Sequence, residues 1–235
     1  MIMSLQDMHD QFLHWFDKQS NNSAPEVTPE EIDIYLNNAQ YQFIKVLVEQ
    51  GLEKSQEWLD YTKNITNSYA TTSFSPGNKP NGTNVLLPAD YSLALLEEAT
   101  IQYTDCGTTQ TKRVPVIPVT RDEYNKVVTN PFKKPWKEEI IRLTSNGTSP
   151  NYYFQLIGFT GATVTNYYLD YLKEPARIQF GSMYSTTPPA PVDQVCELEP
   201  KAATKIVEIA VELAMKTMGD PRLQLEQLDK LVKQI

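Results

Sequence analysis

The chain holds little with which to do chemistry. Only two histidines, His9 and His14, and two cysteines, Cys106 and Cys196, occur in 235 residues. The cysteines lie far apart and form no CxxC pair, so no zinc framework is present. One disulfide or two reduced thiols both fit, and a reducing cytosol favours the thiols. The histidines stand five positions apart on a terminal helical pattern, a spacing that does not share a face as i and i+4 would, so both read as surface residues. P-loop, GxGxxG, GxSxG and HExxH signatures are all missing. Glu97 and Glu98 are adjacent, as are Glu138 and Glu139, and neighbours on a strand point to opposite faces, so neither pair converges for acid–base work. The expectation is a non-enzymatic protein with no catalytic, cofactor-binding or metal-binding residues.

Long apolar runs are missing too. No stretch approaches the ~20 residues of a membrane span, and Asp7, His9, Asp10 and His14 interrupt any signal-peptide core in Met1 to Ser20. Without a secretory signal, the sequons at Asn64, Asn81 and Asn146 read as polar turns, and the expected site of synthesis is a cytosol. Basic charge is also short: 21 Lys and Arg face 29 Asp and Glu, a formal net charge of −8. A broad grip on nucleic acid needs clustered cations, so the balance argues against it. What remains is a chain with 40% hydrophobic residues, enough to bury a core.

Three zones follow in order. Residues 1–66 read as helices. Leu5, Met8, Phe12, Trp15 and Phe16 recur at helical spacing. Thr28-Pro29-Glu30-Glu31 combines a capping Thr, a first-turn Pro and a Glu three residues after the cap, ahead of Ile32, Leu36, Ala39 and Phe43. A third helical piece spans about Glu53 to Asn64. Residues 67–191 read as β-rich. The Ser-, Thr-, Asn-, Gly- and Pro-rich stretch from Asn67 to Asn84 reads as a long loop, with Ser68 to Asn84 mobile alone and ordered by a partner. Strands are expected over Glu98–Thr104, Thr111–Val119, Glu139–Thr144, Tyr152–Phe159 and Thr163–Leu172. Pro115 and Pro118 make the second an edge or irregular strand, and a short helix begins at Arg121. Residues 192–235 return to helix, with a narrow stripe of Ile206, Ile209/Ala210, Leu213 and Thr217, and with Ala202, Ala203, Ala210 and Ala214 allowing close packing against another helix, then a last helix from Asp220-Pro221 to the terminus. Segregated elements give an α+β fold, the N- and C-terminal helices packing as one bundle with a mainly antiparallel β lobe inserted between them.

Three features suit protein contacts. Lys133, Lys134 and Lys137 are interleaved with Phe132 and Trp136 in a short loop with two prolines. Such a mixture can bind single-stranded nucleic acid, but in so acidic a chain an acidic neighbouring subunit is the better partner. Tyr167 and Tyr171 share a strand face with Leu169, and Tyr168 lies opposite. Tyrosine on both faces fits a sheet partly covered by a neighbour, or an ordinary two-sided sheet. Leu223, Leu225, Leu228, Leu231 and Ile235 give the last helix one apolar face, suited to a groove on a partner or to closing its own bundle.

The order of local patterns adds to this. A helix pair leads to Leu86-Leu87-Pro88-Ala89-Asp90-Tyr91, then to Arg121-Asp122-Glu123-Tyr124 and Asn130-Pro131-Phe132-Lys133-Lys134-Pro135. Strands then end in Tyr168-Leu169-Asp170-Tyr171, and Cys196-Glu197-Leu198 precedes a helix closed by Asp220-Pro221-Arg222. Over about residues 28 to 222 this resembles the head–tail connector (adaptor or ring) proteins of tailed bacteriophages, closest to those of crAss-like and other short-tailed phages. The resemblance implies a homo-oligomeric ring in the portal–tail region of the virion, commonly twelvefold, assembled in the host cytoplasm. Its implied partners are the portal protein and the next tail or ring protein, and DNA passes through its channel without specific binding. Twelve chains would carry a formal charge of −96 (12 × −8), which disfavours adhesion of passing DNA. The terminal helix would dock on the portal or a neighbouring subunit. Competing expectations are another tail-completion or minor tail protein, and a cytosolic small-ligand-binding module built on the Tyr-rich sheet.

Overall fold

The computed structural model describes residues 3–20, 27–51, 60–145, 152–181 and 193–217. The chain divides into two compact units, Met1–Ile65 with Pro175–Ile235, and Thr66–Glu174.

The first unit holds α1 (Leu5–Ser20) and α2 (Pro29–Gly51). Both begin with reciprocal caps. Thr28 N donates to Glu31 Oε2 at 2.9 Å while Glu31 N donates back to Thr28 Oγ1 at 3.3 Å, which satisfies backbone donors that the first turn leaves free. Ser4 and Asp7 do the same for α1. Thr28→Ala should cost about 1 kcal/mol, read as a lower urea midpoint with an unchanged slope. Leu5, Met8, Phe12 and Phe16 of α1, and Ile32, Leu36, Ala39 and Phe43 of α2, are buried. A further helix, which we call α4 (Pro200–Thr217), packs against both. Its buried face is broader than the expected stripe and rotated from it. Ala202, Ala203, Ile206, Val207, Ala210, Val211, Ala214 and Met215 are buried, Ile209 and Leu213 only half-buried, and Thr217 exposed. A helix flanked by two others buries two adjacent rows, and small residues fill them because they let backbones approach.

His9 corrects the sequence reading. It is buried rather than on the surface, and its Nε2 lies 2.8 Å from Asp33 Oδ1. Asp33, Asn37 and Gln40, spaced four and three apart on α2, form a polar row toward the extended segment after Glu174. Asp33 accepts from Phe180 N at 2.8 Å, Asn37 exchanges two bonds with the Ile178 backbone at 2.7 and 2.9 Å, and Gln40 reaches Ala176 O at 3.3 Å. The backbone of 176–180 thus gains partners that a segment outside regular structure otherwise lacks.

The second unit is a curled sheet of β1 (Thr66–Thr71), β2 (Ser75–Pro76), β3 (Gly82–Leu86), β4 (Tyr91–Asp105), β5 (Thr108–Pro118), β6 (Ile140–Ser145), β7 (Tyr153–Ile157) and β8 (Thr163–Lys173), in the order β1-β8-β4-β5-β6-β7-β3-β2. Every pairing is antiparallel except β5 with β6. Those two are joined through α3 (Arg121–Thr129), whose Tyr124 packs on Ile141, Leu143 and Ile157. β5 changes partner midway: it pairs with β4 up to Pro115 and with β6 from Val116. Proline falls where one ladder ends, as its missing N–H requires. The inward faces meet in one core that includes Val85, Ile101, Val114, Phe154, Leu156 and Tyr167.

The expected loop from Asn67 to Asn84 is instead mostly strand: β1 pairs with β8, and β2 and β3 form a hairpin beside β7. Its polar residues gave no apolar alternation because much of its order comes from main-chain pairing and one buried amide. With its oxygen facing the turn, Gln155 accepts from Asn78 N at 2.6 Å and Lys79 N at 2.9 Å. At Gly82, a Cβ would meet Lys79 O at 2.8 Å, so only glycine allows this closeness.

Candidate subunit interface

The strand zone presents two outer features and one inner one. The first feature is a corner built from the β4–β5 hairpin and the chain after α3. Cys106 and Gly107 form the hairpin's two-residue turn, with φ of 48° and 80°, the pairing that suits the twist of its strands. Lys137 Nζ lies 2.7 Å from Asp105 Oδ2, and Lys112 pairs with Glu138. These contacts brace the basic loop against the hairpin. The bond to Asp105 also raises the Lys137 pKa, so this lysine stays charged. Trp136 packs on Phe159 at 5.9 Å between ring centres, and Pro135 is buried.

Phe132 is not anchored in this way. It is 95% exposed, on a turn fixed by Phe132 N donating to Asn130 Oδ1 at 2.9 Å and by Lys133 N and Lys134 N donating to Asn130 O. Lys133 and Lys134 flank it, exposed and without an acidic partner among the described residues. The structure therefore splits the basic cluster: Lys137 serves an internal brace, and Lys133 and Lys134 stand free beside a displayed aromatic ring. A fixed apolar side chain with flanking cations can enter an apolar pocket with an acidic rim.

The second feature is the outer face of β1, β8, β4 and β5. Tyr168 lies there half-buried, with the Arg113 guanidinium 4.1 Å above its ring and Arg113 paired to Glu98. Leu96, 54% exposed, shares a shallow groove with Ser68, Ala70 and Tyr168. Tyr167 and Tyr171 point the other way and are buried, so of the three candidate tyrosines only Tyr168 faces outward. Leu223, Leu225, Leu228, Leu231 and Ile235 lie outside the described residues.

The inner feature escaped the sequence reading. Glu97 is buried at the core with Arg142 NH2 2.9 Å from its Oε1 and the Tyr167 hydroxyl donating to its Oε2 at 2.8 Å. Burial pushes the Glu97 pKa up, opposed by the Arg142 charge and the Tyr167 bond. Burial, then the Glu97 charge, pushes Tyr167 upward as well. The Arg142 guanidinium lies 3.9 Å from the Phe154 ring centre. The only sequence signal was one acid and one base at inward positions of separate strands, whose pairing depends on the curl. The cluster ties β4, β6 and β8 together.

Among the described residues, no group of three or more His, Cys, Asp or Glu is placed to hold a metal ion, and no helix is long and apolar enough to cross a membrane. Both cysteines are free. Cys106 is exposed, and burial pushes the Cys196 thiol up to about 11.

The phage tail ring protein 3/4 family matches residues 3–221, nearly the full length. The chain belongs to this family. Ring protein 4/5 of Bacteroides phage crAss001 is 25% identical over 245 aligned positions, covering 95% of this chain and 98% of that protein. Ring protein 3 of the same phage is 23% identical over 206 positions, covering 82% and 87%. The expected kinship with crAss-like phage ring proteins is thus shown, and the ring protein is a structural component of the phage tail.

Proposed function

We propose that this ring protein forms a closed homo-oligomeric ring, twelvefold by analogy with connector rings, that joins the capsid portal to the tail and continues the DNA channel. Membership of the ring family across residues 3–221 carries this reading. The acidic balance supports it, because a channel wall of net negative charge does not hold passing DNA. In this reading Met1–Ile65 and Pro175–Ile235 act as one helical bundle, and Thr66–Glu174 form the lobe that meets neighbouring subunits. Phe132, Lys133, Lys134 and Tyr168 are its outward contacts, and the chain's last residues, Leu223 to Ile235, dock on the portal or the next subunit.

Removing Pro221 to Ile235 tests the docking. The shortened chain should remain folded, with a cooperative melt at the temperature of the full chain, and should fail to co-sediment with portal rings. A shortened chain that unfolds or aggregates would mean that this segment closes its own bundle. Native mass spectrometry of the full chain tests the ring itself: one closed species near twelve copies is expected, and monomer alone at all concentrations would count against it.

A further inference from the structure

The two outer strands of the sheet are treated differently. β2 is blunted: it is two residues long and ends in Pro76. β1 has no such protection. Its sequence, Thr-Asn-Ser-Tyr-Ala-Thr, contains no proline, no lysine and no register shift. It pairs with β8 on one side and, among the described residues, with no strand on the other. A third open flank arises inside the order. β5 meets β6 only from Val116, so beside Thr108–Arg113 the side away from β4 has no strand among the described residues.

The hairpin turn fixes which groups that flank offers. With a two-residue turn, Asp105 and Thr108 exchange hydrogen bonds, and every second residue thereafter points its N–H and C=O away from β4. These are Thr109, Thr111 and Arg113. Thr108 to Thr111 are all exposed. Lys112 and Arg113 are held by Glu138 and Glu98 of the same chain, so they do not guard the edge.

We propose that β1 of one copy adds to the open flank of β5 in the next, so that a continuous antiparallel sheet runs from subunit to subunit. This rests on the ring reading. The pairings β1–β8, β8–β4 and β4–β5 are all antiparallel, so β1 runs opposite to β5. A second copy set in line brings its β1 antiparallel to the first copy's β5. The contact uses two different edges, as a heterologous, ring-closing interface requires. Threonines on both strands suit cross-strand pairing. Pairing β1 with β1 would stop at a dimer.

Amide exchange on the full chain, free and assembled, is the direct test. The amides of Thr109 and Thr111 should exchange freely in single subunits and on the order of 100-fold more slowly in the ring. Thr111→Pro removes one outward donor without touching a bond to β4, and should retain the monomer's melting temperature while reducing ring yield about tenfold or more. Independently of that variant's folding, Ala70→Cys with Thr111→Cys, both on the outer face, in a Cys106→Ser background, treated with a short bis-maleimide, should give a ladder of oligomers, and neither cysteine alone should. Rings with unprotected Thr109 and Thr111 amides and no ladder would overturn the strand addition and leave the ring reading intact. Dimers from Ala70→Cys alone would overturn it in favour of β1–β1 pairing. A chain that forms neither ring nor ladder would overturn both.

Discussion

Arg142→Ala is expected to destabilise the strand zone by about 4 kcal/mol, because it leaves the Glu97 carboxylate buried without its counter-charge. The Arg142 and Glu97 side chains are only 12% and 6% exposed, so water cannot readily replace the lost partner. The effect should depend on pH with a definite sign. Burial raises the folded-state pKa of Glu97 above the ordinary value of 4.5. Its favourable contribution is therefore fully present below the ordinary value and is lost as pH rises through the raised one. Arg142 opposes that rise, so the alanine variant should show a larger one. The deficit of Arg142→Ala should accordingly be greatest near neutrality and shrink in acid. Urea unfolding of both proteins across that range measures it. A deficit below about 1 kcal/mol, or one independent of pH, would mean the pair is not buried as described.

Asp33→Ala should cost the helical unit about 3 kcal/mol, because it strands two buried donors, His9 Nε2 and Phe180 N. His9 also packs edge-on against the Phe180 ring, with centroids 5.0 Å apart, so losing the carboxylate loosens both α1 and the extended segment. Asp33→Asn keeps an acceptor and should lose about half as much. The expected signature is a lower melting temperature together with faster proteolysis after Arg177. If the alanine variant melts with the wild type, the polar row on α2 does not hold that segment.

Local chemistry was readable in the sequence where it was self-contained. The Thr28–Glu31 cap, the burial of Leu5, Met8, Phe12 and Phe16, and a helix starting at Arg121 all follow from residues within a few positions of one another. Opposite facing of Tyr167 and Tyr168 followed from strand periodicity. What required distant partners was not readable. β4 begins at Tyr91, well before the expected Glu98, because register shifts at Tyr91/Leu93 and Ala94/Leu96 break its alternation. His9 looked like a surface residue because Asp33 lies on another helix. The Asn67–Asn84 strands looked like loop because their order comes from β8, β7 and the Gln155 amide.

The same limit governs the interface. The sequence showed that Lys133, Lys134 and Lys137 are near one another, but not that Lys137 is held by Asp105 while the other two flank a bare phenylalanine. That division turns a charge cluster into a shaped contact, a brace behind and a displayed tip in front. Of the aromatic residues proposed as contacts, Phe132 and Tyr168 face outward and Tyr167 and Tyr171 do not.

The proposed ring stacked on the portal would be visible by electron microscopy of the protein, alone and mixed with portal. Closed rings of about twelve subunits, coaxial with the portal and leaving its channel open, are expected. A chain that stays monomeric at high concentration and does not bind the portal would contradict it.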